Sequence, residues 1–565
     1  MRYLPFKGLR HVALACALLC GTAPAFAGDV SLQGLGSASA HQRFIVSYKD
    51  SSAGNRGRLS GSLREIARAV PARRGRALGL SSSRWLGVGP QLLVADRALD
   101  RVDAETLMRR LAADPAVKRV EVDMLLRPML VPNDSRLSEQ WALGTTSAGI
   151  NVRPAWDKAT GKGAVVAVID TGVTAHPELS ANVLAGYDFI SDAFIARDGN
   201  ARDTDATDLG DWAAANECGS GASASSSSWH GTHVAGIVAA AANNGAGTAG
   251  VAFNAKVLPV RVLGRCGGYL SDIADAIVWA SGGTVSGVPA NPTPARVINL
   301  SLGGIGSCST TLSNAIASAV SRGTSVVVAA GNSNIDVSQS VPANCPNVIA
   351  VAATTSAGAK ASFSNFGQGV DIAAPGQAIL STLNSGSTAA GSPSYAVYSG
   401  TSMAAPHVAG VVALMQSVAL NPLSAASVEA MLKSTARALP VACPQGCGAG
   451  LVNADGAVAA VIASTTLTSN AARSGLAAAT GGSLYYQVNV PAGTRSLRVA
   501  LSGGSGNADL SLRAGALPSD TAYNCRTAVV GNADSCTLSA PAPGVYYVRL
   551  KATLAFSAVT LVATY

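Results

Sequence analysis

The chain has 565 residues, 48% hydrophobic and 13% charged, with 60 glycines, which excludes a peptide, a small stapled scaffold, a disordered chain and a coiled coil, and leaves room for two or three packed units. Its formal charge is +9, but 20 of the 41 Lys/Arg and only 10 of the 32 Asp/Glu lie in residues 1–132, so the remainder is near neutral and carries no electrostatic footprint for nucleic acid.

The chain opens with Arg2, Lys7 and Arg10, an apolar run from Val12 to Cys20, and Ala25-Phe26-Ala27. These are the three regions of a secretory signal peptide, expected over 1–27. Cys16 and Cys20 fit a lipoprotein cleavage pattern poorly, and no later stretch reaches the length of a membrane span, so a soluble exported product is expected. Eight further cysteines follow, an even number that suits an oxidising compartment. Pairing in sequence order gives 218 with 266, 308 with 345, 443 with 447 and 525 with 536, among many alternatives. No C-x-x-C pair supports zinc.

Residues 28–132 read as a small α+β module. Strands are expected at 43–49 and 117–126, a helix at 104–113, and an Arg-rich insert at 55–76. From 133 to 463, near-continuous Val/Ile/Ala runs at 164–169, 257–263, 296–302, 325–330 and 348–353 alternate with helical patterns at 230–242, 271–280, 312–322, 401–416 and 424–437. That alternation predicts an α/β, doubly wound, mostly parallel sheet whose site lies at the carboxyl ends of the strands. Residues 464–482 read as a Ser/Thr/Ala/Gly linker, and 483–565 as a β-sandwich with strands at 483–490, 496–501, 508–513, 544–550 and 558–564.

Four places in the α/β region carry chemistry. Asp170 ends a buried strand and opens Asp-Thr-Gly, where a carboxylate is costly unless it has a task; a turn cap is the plainer account. His230 begins a helix in Ser-Trp-His-Gly-Thr-His-Val-Ala-Gly, and no third ligand accompanies His230 and His233 for zinc. Ser402, in Ser-Gly-Thr-Ser-Met-Ala-Ala-Pro-His, stands at a helix N-terminus, where it would be an N-cap or a nucleophile. Asn332 follows the strand 325–330 and can donate its side-chain amide.

The order Asp, His, Ser is that of the subtilisins. The segment 163–455 resembles the catalytic domain of the subtilase family of serine proteases in Val-Ile-Asp170-Thr-Gly, His230-Gly-Thr-His-Val-Ala-Gly and Gly-Thr-Ser402-Met-Ala-Ala-Pro-His, with Asn332 between the last two. The resemblance implies that Ser402 attacks the scissile carbonyl, His230 shuttles the proton, Asp170 orients the imidazole, and Asn332 with the Ser402 amide holds the oxyanion. It also implies a substrate strand at Ser301, Leu302 and Gly303, an opposite edge at Gly268, and a pocket wall at Ala329, Ala330 and Gly331. Those small walls suit large apolar or aromatic side chains; Asp336, were it at the floor, would favour basic ones.

Six carboxylates, Asp192, Asp198, Asp203, Asp205, Asp208 and Asp211, lie within twenty residues and suggest a structural Ca²⁺, which subtilases commonly carry. Glu178 with Asn243-Asn244-Gly245 is a second candidate. No catalytic metal or organic cofactor is expected. Residues 28–132 resemble the family's inhibitory, folding-assisting propeptide, cut near 130–133. Residues 480–565 resemble the prepeptidase C-terminal domain through Gly506-Asn-Ala-Asp509-Leu-Ser-Leu-Arg513 and Gly544-Val-Tyr-Tyr-Val-Arg549. Two functional classes follow: a calcium-stabilised secreted endopeptidase, made as a zymogen and acting as a monomer on polypeptides, or an exported adhesion protein with a protease-like scaffold. The intact triad favours the first.

Overall fold

The structure, a computed structural model, describes residues 28–36, 40–49, 59, 61–73, 75–125 and 131–565. The expected signal peptide, residues 55–58, 60 and 74 of the Arg-rich insert and Leu130 of the expected cut lie outside the described residues. The chain divides into two compact units, Met1–Pro128 and Met129–Tyr565.

In the first unit a five-stranded sheet runs in the order Asp29–Ser31, Val117–Val122, His41–Tyr48, Gln91–Leu99, Leu80–Trp85. The helix Arg101–Ala112 begins where the Asp100 side chain accepts from Asp103 N, and buries Ala104, Leu107, Met108 and Leu111 against Phe44, Val46 and Val120. The hairpin of Leu80–Trp85 and Gln91–Leu99 had no reading from sequence, because Leu-Ser-Ser-Ser-Arg-Trp lacks the alternation of a half-buried strand.

The second unit is built on seven parallel strands in the order Ile372–Pro375, Val348–Thr354, Ser325–Ala329, Val297–Leu300, Val165–Asp170, Lys256–Arg261, Tyr187–Asp188. This is the subtilisin-like doubly wound sheet. Both faces are covered, which is why the strands are apolar throughout. Val166 and Val168 face a cluster formed with the helices His230–Ala239, Thr401–Val418 and Ala454–Thr465, while Ala167 and Ile169 face the helices Leu270–Ala280 and Thr310–Ser321. The helix Thr401–Val418 is buried nearly all round, with Val408, Val411, Val412 and Leu414 fully buried, as its uniformly apolar sequence requires.

After Thr465 come antiparallel strands, consistent with a β-sandwich. Here the structure departs from the sequence reading in two ways. The expected linker 464–482 contains the end of the helix Ala454–Thr465 and an exposed strand, Ala472–Ala478, paired with the last strand of the chain. Its Ala/Ser/Gly composition is overridden by a partner about ninety residues away. The two strands expected at 544–550 and 558–564 are one continuous strand, Gly544–Thr564. All four cysteine pairs expected from sequence order are disulfides: Cys218–Cys266, Cys308–Cys345, Cys443–Cys447 and Cys525–Cys536.

Candidate active site

Asp170 is the last residue of Val165–Asp170 and is fully buried. Its carboxylate faces His230 Nδ1, with Oδ1 at 2.8 Å and Oδ2 at 3.0 Å, and also accepts from Thr171 N at 2.8 Å. Burial alone would push the imidazole's pKa down. The charge and hydrogen bond of Asp170, with smaller contributions from Asp211 and Asp208, outweigh it and hold His230 above its ordinary value.

The approach of the two segments depends on glycine. A Cβ on Gly231 would lie 2.1 Å from the Gly172 carbonyl oxygen, so only a bare Cα lets the His230 helix meet the Asp-Thr-Gly turn. Thr171 fastens the junction: its Oγ1 accepts from Gly231 N at 2.9 Å and donates to Asp208 Oδ2 at 2.6 Å. Burial pushes the Asp208 carboxyl up to about 6, although Thr171 and Gly210 N pull against it. Trp229 sets the start of the helix in a left-handed conformation, φ +48°, with its indole buried and donating to Gly386 O at 2.6 Å. Ser228, just before it, is held through its amide and hydroxyl by Asp211 at 2.6 and 2.7 Å. Trp229 and Ser228 sit inside the histidine box; nothing in sequence gave them a positioning task.

Ser402 lies in the first turn of Thr401–Val418. Its Oγ donates to Ser301 O at 3.1 Å, while Ser301 Oγ donates to Ser402 O at 2.8 Å, which ties the helix to the loop after Val297–Leu300. Asn332 stands beyond Ser325–Ala329 with Oδ1 accepting from Thr401 N and Thr401 Oγ1. Beside it a cavity of about 710 Å³ is lined by Ser301, Leu302, Gly303, Gly268, Ala329 and Gly331, together with Asn332, Ser402, Ser340 and Asn365. Ala330, expected in this wall, comes just after the strand Ser325–Ala329 and is fully buried in the core on the other face of the sheet, continuing the strand's alternation. No charged residue lines the cavity. Asp336 is not at its floor: it caps a short helical turn, accepting from Ser338 N at 2.9 Å.

The six carboxylates expected to gather a cation do not converge. Asp192 caps Phe194 N at 2.9 Å, Asp203 caps Asp205 N at 2.7 Å, and Asp205 caps Thr207 N at 3.0 Å. Asp198 accepts from Asn200 N at 3.1 Å and from the buried Arg261 at 3.0 Å, while Asp208 accepts from Thr171 of the Asp-Thr-Gly turn and Asp211 from Ser228 of the histidine segment. Short-range turns and one arginine absorb the repulsion that a metal was expected to relieve. Among the described residues no group of three or more His, Cys, Asp or Glu could hold a metal ion. The second candidate is different. Glu178 is 1% exposed and accepts from Asn244 Nδ2 at 3.1 Å and Tyr395 OH at 3.0 Å; burial, with the nearby charge of Asp134, raises its pKa. Asp134 accepts from Asn243 N at 2.9 Å through Oδ2, and its buried Oδ1 has no partner.

Among the described residues no helix is long and apolar enough to cross a membrane. Residues 161–456 match the Subtilase family, and residues 482–552 match the Bacterial pre-peptidase C-terminal domain. The chain is 65% identical over 553 residues to a protein named extracellular protease from Xanthomonas campestris pv. campestris, covering 96% of this chain and 95% of the relative. It is 40% identical over 430 residues to the extracellular basic protease of Dichelobacter nodosus, covering 74% and 70%. A solved structure titled as proteases from Pseudoalteromonas arctica PAMC 21717 aligns with a TM-score of 0.58 and 54% identity, over 59% of this chain and 100% of that one. With its sheet, its histidine–aspartate pair and its serine helix, this chain belongs to the subtilase family and is a serine protease.

Proposed function

We propose that the protein is a secreted endopeptidase that cuts extracellular polypeptides through an Asp170–His230–Ser402 triad and an acyl-enzyme, and that it is made as a zymogen and matures by cutting itself. The observation that carries this reading is the buried Asp170 carboxylate on His230 Nδ1, which fixes the tautomer with Nε2 free to act as the base. The Ser402 hydroxyl rests on Ser301 O; attack requires a turn about its Cα–Cβ bond toward His230 Nε2. The tetrahedral oxyanion would form between Asn332 Nδ2 and Ser402 N, and collapse would return the proton from His230 to the leaving amine.

Around this centre, Ser301, Leu302 and Gly303 would pair with an extended peptide by β-addition, with Gly268 on the opposite edge. The residue before the cut would fill the uncharged cavity of about 710 Å³, which suits a large apolar side chain. Residues 1–27 would direct export, residues 28–132 would serve as propeptide and intramolecular inhibitor, and residues 483–565 would form the prepeptidase C-terminal module. The names of the Xanthomonas and Dichelobacter relatives support the extracellular setting. A monomer suffices, since every residue of the triad comes from one chain.

Structural calcium belongs to this proposal, at Asp134 and Glu178 rather than at the six aspartates. An unpartnered buried carboxylate oxygen beside a second buried carboxylate fits a hard cation, which takes carboxylate and amide oxygens. When bound, the ion would neutralise that pair and tie residue 134 to the loop after the His230 helix; it takes no part in peptide cleavage.

The test is a Ser402→Ala chain expressed with its own residues 1–132. Both casein hydrolysis and removal of residues 28–132 should cease. Hydrolysis that persisted would show that another nucleophile does the work.

A further inference from the structure

A second cavity, of about 360 Å³, opens beside His230 and is lined by Thr171, Asp211, Ser225, Ser228, His230 and Gly267, among others. It shares Leu263, Cys266, Gly267 and Ser301 with the large cavity, so the two are neighbours across one wall. Side chains of an extended peptide alternate between opposite sides. When the residue before the cut fills the large cavity, the residue ahead of that one therefore turns toward His230 and this smaller cavity.

The charge in the smaller cavity is distinctive. Both oxygens of Asp211 are hydrogen-bonded, but only to the neutral amide and hydroxyl of Ser228. The arginines flanking this loop are engaged elsewhere: Arg197, which donates to Trp212 O, and Arg265 both pair with Glu217. Asp211 thus lines a cavity as a carboxylate without a cationic partner among the described residues. The site is also firmly built. The disulfide Cys218–Cys266 joins the segment after Asp211 to the cleft edge at Gly267, and Tyr398 OH donates to Ser228 O at 2.9 Å from the other side.

The cavity would receive the residue two positions before the scissile bond, and we infer that Asp211 selects Lys or Arg there. The inference rests on the proteolytic reading above and names a substrate class for it: chains with a large apolar residue at the cut preceded by a basic one. A partly exposed charge pair of this kind is expected to change kcat/KM by about tenfold between Lys and Glu at that position.

The experiment uses the mature enzyme and four peptides that keep Phe before the cut and vary the preceding residue as Lys, Arg, Ala or Glu. Lys and Arg should be cut best and Glu worst. In Asp211→Asn the Lys-to-Glu ratio should fall toward one, because Asn still accepts from Ser228 N and its amide can donate to the Ser228 hydroxyl. If that variant fails to mature, the wild-type ratio is measured from about 0.02 M to about 1 M salt, over which screening should erase most of it. A flat series in the wild type, a ratio unchanged in Asp211→Asn, or a ratio indifferent to salt would each overturn the inference while leaving the protease reading intact. Failure to cut any of the four would bring down both.

Discussion

Asn332 Oδ1 accepts from both the backbone amide and the hydroxyl of Thr401, at 2.8 and 2.9 Å. Two donors on one oxygen decide which way the side-chain amide is turned, and its nitrogen is left on the side of Gly400. A Cβ on Gly400 would lie 3.4 Å from Asn332 Nδ2 and 3.6 Å from Ser402 N, so both donors border the same small space. Losing the corresponding asparagine of a subtilisin costs about 10²–10³ in kcat, and Asn332→Ala is expected to fall in that range with little change in KM. Steady-state kinetics on a peptide substrate check it; a loss confined to KM would make the residue a ground-state contact only.

The pH dependence of catalysis follows from His230. In the proposed role of general base it must be neutral, and Asp170 holds its pKa above the ordinary value of about 6.5. The acidic limb of the kcat/KM profile should therefore have its midpoint above pH 6.5, with activity rising as pH increases through it. A midpoint at or below that value would mean that burial, not the aspartate, dominates the imidazole.

Acid stability has a separate source in His407. This ring is 2% exposed, hydrogen-bonded through Nδ1 to Met403 O at 2.8 Å, and pushed down to about 4 by burial. Between pH 6.5 and about 4 the unfolded chain takes up a proton that the folded chain refuses, so stability falls by about 1.4 kcal/mol per pH unit from this residue. In a Ser402→Ala background, the stability gap between His407 and His407→Gln proteins should shrink as pH drops through that window. A gap that stays constant would show that the ring titrates normally in the fold.

Calcium removal should be felt at Asp134 and not in the aspartate-rich loop. Chelator is expected to lower the thermal midpoint of the unprocessed Ser402→Ala protein, and Asp134→Asn to remove most of that response, because a ligand bound only by the folded state stabilises it. Asp205→Asn should leave the response unchanged. The reverse pattern would return the ion to the loop.

Much of this site is legible in sequence because its chemistry is local. Asp170, His230 and Ser402 each sit at the end of an apolar strand or the start of an apolar helix, and such termini of a parallel sheet meet at one edge. What sequence hides depends on how loops fold back. Asp211 and Ser228 are 17 residues apart with a disulfide-anchored loop between them, so their bond has no periodic signature. Dense aspartates look alike whether they gather an ion or cap their own turns, and only coordinates separate Asp203 on Asp205 N from Asp134 with an unpartnered oxygen. Ala330 shows the same limit on a smaller scale: successive residues at the end of a strand face opposite ways, and its two flanking residues line the cavity while it does not.

The strand Gly544–Thr564 pairs in its first half with Ser483–Val490 and Ser505–Ala514, and in its second half with Ala472–Ala478 and Ser496–Ser502. Four strands thus share one partner that follows all of them in the sequence. A chain clipped before Gly544 loses the seam that joins all four of them. One cut there would break four strand pairings at once, where a cut in any of the other four strands would break fewer.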